Sequence, residues 1–281
     1  MESIDVSVII TTRNEEKHIK NCLESIIKQT YPQDRIEAIV VDNNSTDKTK
    51  EIALTYTSKV YNFGPERSAQ RNQGIRQAQG KYILYLDADM SLSPGVIKEC
   101  VDKCESRGYI ALYIPERIIG EGFWIKVRDF ERGFYNATCI DAVRFVRKDK
   151  FLEIGGFDET LTGPEDWDFD RRIRVIGKVG IINACLYHNE GRLHFSKYLK
   201  KKKYYGNTLE RYINKWGRED TLIIKQLGLF YRFFGVFIED GKWRKALTHP
   251  LLLLGVYVLR FFIGIGYLVN KKPINEDREV F

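Results

Sequence analysis

The sequence predicts an α/β fold: a mostly parallel central sheet with helices on both faces, followed by a helical extension. Short β-branched runs alternate with segments of helical periodicity through the first half of the chain, which is typical of a parallel sheet. From residue 194 onward the pattern is helical. We therefore divide the chain into a body, residues 1–190, and a basic and apolar C-terminal extension, residues 191–281.

The individual elements follow from apolar periodicity and from turn residues. In the first half, strands are predicted at 4–10, 36–41, 60–63 and 82–86, with helices near 15–29, 47–57 and 67–79. Beyond residue 108 we expect strands at 109–114, 142–146 and 179–184, a helix near 123–136 and a helix directly after Gly163-Pro164. The chain contains no internal repeat that would suggest a solenoid.

Three of these strands end in polar residues. The first ends at Thr11-Thr12-Arg13-Asn14, the second at Asp42-Asn43-Asn44-Ser45, and the fourth at Asp87-Ala88-Asp89. The carboxyl ends of parallel strands share one edge of a sheet, and helix N-termini point to the same edge. We therefore expect one crevice that is built from these three loops.

Composition excludes several classes of protein. The 281 residues are 43% hydrophobic and 30% charged, which fits neither a disordered polymer nor a fibrous repeat. Five cysteines without a CxxC pair argue against a disulfide framework and against a cysteine zinc site. The N-terminus has no basic leader, so a reducing cytosolic compartment is expected.

Positive charge is concentrated in the last third of the chain. Residues 192–281 contain 18 Lys and Arg against 8 Asp and Glu, a net charge of +10 that leaves −3 for the remainder. Two apolar stretches, 227–238 and 251–269, lie in the same region, and only Arg260 interrupts the second. An arginine at mid-span disfavours crossing a bilayer. These helices could lie in the headgroup region of the cytoplasmic membrane face, as in a peripheral or monotopic protein, or pack in an ordinary core.

A run of lysines and tyrosines begins the extension: Lys197, Tyr198, Lys200, Lys201, Lys202, Lys203, Tyr204 and Tyr205. Charge combined with aromatic stacking could bind single-stranded nucleic acid. Anionic headgroups or a lipid-linked phosphate would explain both the lysines and the apolar stretches beside them. We therefore expect a membrane surface as a partner and no nucleic acid.

Asp87 and Asp89 follow the apolar run KYILYL at the end of the fourth strand. Residues two apart in an extended chain point to the same side, so both carboxylates would face the crevice. Oxygen ligands favour Mg²⁺ or Mn²⁺, which commonly bridge a few carboxylates to substrate phosphates. A surface turn is the alternative explanation for this pair.

Several motifs resemble one family in order along residues 5–190. VSVIITTRNEE, VDNNSTD, RNQGIRQAQGKYILYLDAD, GGFDE and GPEDWDFDRRI are similar to family 2 glycosyltransferases of the GT-A fold. The resemblance implies an inverting enzyme that takes a sugar from a nucleotide-diphosphate sugar, most commonly a UDP-sugar, and uses Mn²⁺ or Mg²⁺. The extension resembles the tails of members that work at membranes, for which a polyprenyl-linked acceptor is a candidate.

The resemblance also implies roles for individual residues. Thr11, Glu15 and Asp42 would form the nucleoside pocket, with Arg71 beside the base or the diphosphate. Asp87 would contact the ribose and the metal shell, Asp89 would bind the metal directly, and His188 would be a third metal contact. Three structural explanations stay open: an Asx turn at Asp42, a solvated Arg71 and a hydrogen-bonded structural His188.

Glu165 and Asp166 follow Gly163-Pro164, where acidic residues are also favoured simply by a helix N-terminus. In the family pattern the second residue of this pair is the catalytic base, which makes Asp166 the candidate. Displacement with inversion needs a base that takes the proton of the acceptor hydroxyl as the new bond forms. Glu165 would hold the acceptor.

Two other functions are compatible with parts of the sequence. A sugar nucleotidyltransferase can be built on a similar sheet, but such enzymes open with a glycine-rich phosphate loop, which this N-terminus lacks. A non-catalytic nucleic-acid or membrane-binding protein would account for the basic extension alone.

Overall fold

The computed structural model describes residues 3–269. Its strands are β1 (Val6–Thr12), β2 (Ile36–Asp42), β3 (Val60–Asn62), β4 (Tyr82–Asp87), β5 (Met90–Leu92), β6 (Ala111–Tyr113), β7 (Glu116–Glu121), β8 (Phe145–Arg147), β9 (Val179–Ile181) and β10 (Leu186–Arg192). Seven of them form the central sheet in the order β3-β2-β1-β4-β8-β6-β9. All its pairings are parallel except those of β8 with β4 and β6.

The helices of the body are α1 (Ile19–Ile27), α2 (Thr49–Leu54), α3 (Arg67–Gln77), α4 (Val96–Arg107), α5 (Phe123–Arg132), α6 (Lys148–Glu153) and α7 (Glu165–Ile176). All except α5 cover the two faces of this sheet; α5 packs against β7 and α13. Strand β1 is buried along its whole length because it lies between two neighbours and two helical layers. Ile10 belongs to the core cluster on one face and Ile9 to the cluster on the other. The α/β fold class with a mostly parallel sheet is confirmed.

Two helices begin later than the sequence pattern predicts. Helix α1 begins at Ile19 rather than near residue 15, since Asn14 has a positive φ of 54° and interrupts the helical path. The side chain of Asn14 accepts a hydrogen bond from the backbone of Thr46 at 2.8 Å, which ties this loop to the loop after β2. Helix α2 begins at Thr49 rather than at 47. Glu15 therefore lies in a loop.

A second sheet of three strands, β5-β10-β7, is not among the predicted elements. Its longest strand, β10, has the sequence LYHNEGR and is mostly half-buried, so its polar pattern gives no strand signal. Strand β10 pairs antiparallel with β5, through His188 and Met90, and parallel with β7. This small sheet brings His188 beside the end of β4.

The region after residue 194 is helical, as predicted. It contains α8 (Phe195–Gly206), α9 (Leu209–Trp216), α10 (Thr221–Leu227), a π-helical turn (Tyr231–Gly235), α11 (Val236–Ile238), α12 (Trp243–Thr248) and α13 (Pro250–Val269). Val256 and Leu259 of α13 pack with Val127 and Phe130 of α5 in one buried cluster. Part of each predicted apolar stretch is therefore core.

Arg260, the charge that interrupts the second apolar stretch, is only 8% exposed. Its Nε donates to Glu131 Oε1 at 2.8 Å, and its Nη2 donates to the Tyr135 hydroxyl at 2.8 Å. Burial alone would raise the pKa of Glu131, but Arg260 and Arg128 lower it to about 2. The arginine thus has an intramolecular partner, which anchors α13 to α5.

The outer surface of the last helices is apolar. Exposed large side chains include Leu229, Phe230, Phe234, Ile238, Leu247, Leu251, Leu254 and Phe261, which we call the apolar surface. Among the described residues no single helix has the length and apolarity to cross a bilayer; Thr221–Leu227 and Tyr231–Gly241 reach that length and apolarity only together, with a bend of 64° between them. The basic residues Lys271 and Lys272 lie outside the described residues.

Candidate active site

A cleft of about 660 Å³ lies at the carboxyl edge of the central sheet. The ends of β4 and β10, the beginning of α7 and one side of α8 form its walls. The predicted site residues that line it are Glu15, Asp87, Asp89, Asp166 and His188. Its volume falls in the range of roughly 300–1,000 Å³ that is usual for small-molecule sites.

Two arginines of α3, one helical turn apart, hold the acidic residues together. Arg71 donates from Nη1 to Asp166 Oδ1 at 2.7 Å and from Nη2 to Asp87 Oδ1 at 3.1 Å. Arg67 donates to Asp87 Oδ2 at 3.1 Å and to Glu165 Oε1 at 3.3 Å. The aspartate after β4 and the acidic pair of α7 are therefore joined through guanidinium groups.

Arg71 is fully buried, so the alternative of a solvated helix residue is wrong. Its guanidinium lies 4.9 Å from the centre of the Tyr85 ring and 5.3 Å from that of Phe157. It is not among the residues that line the cleft; Arg67 is. Arg71 lies behind the carboxylates and positions them, and its expected place beside a base or diphosphate stays a prediction.

Asp87 has both oxygens engaged by protein. Besides the two arginines, the Thr11 hydroxyl donates to its Oδ1 at 3.0 Å. Burial would raise the pKa of Asp87, but Arg67 and Arg71 hold it well below its usual range. Thr11 therefore contacts the site through Asp87 and does not itself line the cleft.

Glu165 is 1% exposed and is absent from the cleft wall. Burial, with a contribution from Asp166, raises its pKa. Its Oε2 is buried without a hydrogen-bond partner. Glu165 is therefore a buried partner of Arg67 in this structure, and the expectation that it holds the acceptor stays a prediction.

Asp89 and His188 form a second pair in the same cleft. His188 Nε2 lies 3.1 Å from Asp89 Oδ2, and its Nδ1 lies 2.9 Å from Glu116 Oε1. Burial would lower the pKa of His188, but hydrogen bonds to Asp89 and Glu116 raise it to about 10. The histidine is therefore oriented from behind by Glu116 and directed at Asp89.

Asp89 and His188 fit a divalent cation, although no group of three or more metal-binding side chains is found within residues 3–269. Asp89 Oδ1 is a buried oxygen with no hydrogen-bond partner, and a cation would satisfy it. Glu116 behind His188 is the arrangement that commonly fixes a metal-binding imidazole. Mg²⁺ and Mn²⁺ usually complete their shells with substrate phosphates and water.

Of the residues predicted for the nucleoside pocket, some line the cleft and others do not. Glu15 lines the cleft, bonds to His18 at 2.7 Å, and has a pKa raised by burial. Asp42 is fully buried and does not line the cleft. Its carboxylate accepts two hydrogen bonds from Ser45, one from the backbone at 2.8 Å and one from the hydroxyl at 2.5 Å. Asp42 therefore has a local structural role in the turn after β2, and its nucleoside role stays a prediction.

Three kinds of residue at this site are missing from the sequence prediction. Arg67 could have been found, because it lies four residues before Arg71 and so on the same helix face. Glu116 could not, because its contact with His188 depends on the pairing of β7 with β10. The residues of α8 that line the cleft were predicted as part of a run of lysines and tyrosines, but not as part of the cleft wall.

Comparison with known proteins adds a family match. The sequence matches the model described as "Glycosyl transferase family 2" over residues 7–158, more than half of the chain. It is 42% identical over 93 residues to glycosyltransferase AglE of Haloferax volcanii, covering 31% of each protein. It is 25% identical over 264 residues to the minor teichoic acid biosynthesis protein GgaB of Bacillus subtilis, covering 85% of this chain and 29% of that protein. The matched region thus spans about a third of these relatives.

Solved structures with the same fold cover nearly the whole chain. Staphylococcus aureus TarS 1–349 in complex with UDP superposes with a TM-score of 0.57 at 18% identity, covering 99% of this chain and 95% of that one. The mannosyltransferase PcManGT of Pyrobaculum calidifontis, in complex with GDP-Man and Mn²⁺, gives a TM-score of 0.60 at 18% identity, covering 98% and 77%. At this identity the likeness supports the fold alone.

Proposed function

The chain belongs to glycosyl transferase family 2, and from that membership we propose that it transfers a sugar from a nucleotide-diphosphate sugar to an acceptor hydroxyl or phosphate with inversion at the anomeric carbon. The observation that carries this proposal is the position of Asp166. Its side chain is 23% exposed in the cleft that also contains Asp87, Asp89 and His188.

Asp166 is suited to the role of general base. Arg71 holds its Oδ1, and no hydrogen bond to its Oδ2 is found among the described residues. That second oxygen can accept the proton of the acceptor hydroxyl while the acceptor oxygen bonds to the anomeric carbon. The bond from this carbon to the diphosphate breaks in the same step, and its electron pair leaves with the diphosphate.

The departing diphosphate belongs beside Asp89 and His188. A divalent cation held by these two residues would supply the positive charge that stabilises the leaving group. Arg67 and Arg71 keep Asp87 ionised beside them and fix its orientation. Glu116 holds the imidazole of His188 so that Nε2 faces Asp89.

We assign the donor to the nucleoside diphosphate sugars and favour a UDP-sugar. One structural neighbour is a complex with UDP-GlcNAc, and another is a complex with GDP-Man and Mn²⁺. The cleft of this chain has room for such a molecule, and both acidic and basic side chains line it. A panel of nucleotide sugars with UDP and GDP moieties is therefore the starting point for assays.

We expect Asp89→Asn to weaken Mn²⁺-dependent turnover of the preferred nucleotide sugar by about a hundredfold, since the neutral amide is a poor cation ligand. Release of the nucleoside diphosphate measures this, first for the wild type across the donor panel. Asp102→Asn is the matched control, because Asp102 is an exposed surface carboxylate that pairs with Lys98. Equal turnover by Asp89→Asn and wild type would contradict the metal assignment, and no turnover of any donor would contradict the proposed function.

We also propose that the protein works at the cytoplasmic membrane face, as a peripheral or monotopic protein with a glycan or lipid-linked acceptor. The apolar surface supports this, because monomeric proteins rarely expose many large apolar side chains together. Leu229, Phe230 and Leu251 are more than 70% exposed. The net charge of +10 on residues 192–281 would add attraction to anionic headgroups.

We expect the full-length protein to float with vesicles that contain phosphatidylglycerol, and we expect the double variant Leu229→Ser, Phe230→Ser to lose about tenfold in bound fraction, since it removes two inserted side chains. The control is Leu54→Ser, whose exposed leucine lies on α2 of the body. Flotation that is equal for both variants, or no flotation of the wild type, would contradict membrane contact through this surface.

A further inference from the structure

The basic helix α8 has two different sides, which its sequence alone does not distinguish. His194, Lys197, Tyr198, Lys201 and Tyr205 recur at helical spacing and all line the cleft. Lys200 and Lys203 are absent from the cleft wall, and we call them the outer lysines; the side chains of all four lysines are exposed. The lysine run is therefore divided between residues that line the cleft, Lys197 and Lys201, and residues that do not.

Aromatic residues hold this helix over the cleft. Phe195 packs against Trp124 with ring centres 5.4 Å apart. The guanidinium of Arg128 lies 5.2 Å from the ring centre of Tyr198, and that of Arg67 lies 5.2 Å from the ring centre of Tyr205. Contacts at its beginning, middle and end thus fix which side of α8 faces the cleft.

The loop before α7 is shaped to accept the end of α8. Gly163 has a φ of +98°, and a Cβ atom at this position would lie 2.6 Å from the Tyr205 carbonyl oxygen. Only glycine allows this close approach without displacing the helix. Tyr204 adds a hydrogen bond from its hydroxyl to Glu66 Oε1 at 2.5 Å. The helix is therefore fitted against the segment that carries Asp166.

Lys197 and Lys201 differ from the arginines of the cleft in that they form no ion pair with a carboxylate of the described residues. Its arginines are paired: Arg67 with Asp87 and Glu165, Arg128 with Glu131 and Glu190, Arg144 with Glu116, and Arg192 with Glu121. Within residues 3–269, neither Lys197 nor Lys201 has an ion pair with a carboxylate. The ammonium groups of Lys197 and Lys201 thus line the cleft without a direct ion pair, although the carboxylates of Asp89 and Glu190 line the same cleft.

We propose that Lys197 and Lys201 form a phosphate-binding surface on the inner side of α8. This rests on the proposed function, which brings phosphate into the cleft in two ways: as the diphosphate of the donor, or as the phosphate of a lipid-linked acceptor. Ammonium groups on flexible stems bind phosphate as point charges. The aromatic contacts hold the helix in place, so the lysines reach the substrate from the side opposite the β-sheet.

The test compares the inner and outer lysines of one helix. The variants are Lys197→Gln with Lys201→Gln, and as matched control Lys200→Gln with Lys203→Gln, which removes the same charge from the outer side. Calorimetry measures binding of UDP, GDP, inorganic pyrophosphate and a short-chain prenyl phosphate, each with Mn²⁺, to the full-length protein. Thermal melts verify that both double variants are folded.

We expect the inner variant to bind at least one phosphate probe about tenfold more weakly than wild type, with the control unchanged. Weaker binding of UDP, GDP or pyrophosphate assigns the lysines to the donor diphosphate, and weaker binding of prenyl phosphate alone assigns them to the acceptor. Equal affinities of the inner and outer variants for every probe would overturn the proposal. A wild type that binds pyrophosphate but no nucleoside diphosphate would refute the proposed function and leave the lysine comparison intact.

Discussion

Asp166→Asn lowers kcat by about 10²–10⁴-fold, the usual contribution of a general base, and leaves nucleoside diphosphate binding unchanged. The substitution is selective because asparagine keeps an oxygen that can accept the hydrogen bond from Arg71 Nη1. The position of the side chain is therefore preserved while its ability to take a proton is lost. Single-turnover transfer assays with saturating donor measure the effect directly.

The matched control for this variant is Asp149→Asn, which neutralises an exposed aspartate that pairs with Arg147. It keeps full activity, because Asp149 lies on α6 and does not line the cleft. If Asp166→Asn retained kcat within a factor of about ten, another group would have to accept the proton. A parallel loss of donor affinity would instead indicate that Asp166 mainly maintains the fold of the site.

Arg71→Met destabilises the protein by about 3–5 kcal/mol, the usual cost of removing one member of a buried ionic pair. Asp87 and Asp166 would lose their shared partner, and Arg67 alone would have to balance three nearby carboxylates. Methionine fills part of the space beside Tyr85 and Phe157, so the loss is mainly electrostatic. Urea unfolding monitored by circular dichroism gives the change in the free energy of unfolding.

The pH dependence of this loss has a definite sign. In the wild type Arg67 and Arg71 depress the pKa of Asp87, so the stabilisation is present above the ordinary aspartate pKa and is lost as the pH falls. Arg71→Met has less of this stabilisation to lose. The difference in the free energy of unfolding between wild type and variant therefore becomes smaller as the pH falls. Arg76→Met, on the exposed side of the same helix, is the control and changes stability by less than about 0.5 kcal/mol. An equal effect of both variants at neutral pH would contradict the buried network.

The sheet could be predicted from the sequence because its strands are buried on both faces. Short, β-branched apolar runs such as VSVII and YILYL favour buried strands at this length and spacing. Helices α4 and α6 and strands β5, β7 and β10 are absent from the prediction. Helix α4 mixes cysteines with charged residues, and β10 is polar because one side of it faces the cleft.

The acidic residues of the site are visible in the sequence, but their partners are not. Asp87 and Asp89 are marked by their position at the end of an apolar strand, and Asp166 by the proline before its helix. Helical spacing puts Arg67 and Arg71 on one face of α3 without saying that this face meets the carboxylates. The contact of His188 with Glu116, which is 72 residues away, depends on tertiary structure alone.

The pairing of Arg260 with Glu131 and Tyr135 has a geometric consequence. With its guanidinium pinned at two points, α13 cannot roll about its axis without separating buried charges. The outward leucines and phenylalanines of α13 thus keep a fixed direction relative to the body. If the protein bound a bilayer through these side chains, its orientation to the bilayer and the distance of its cleft from the lipid would stay constant.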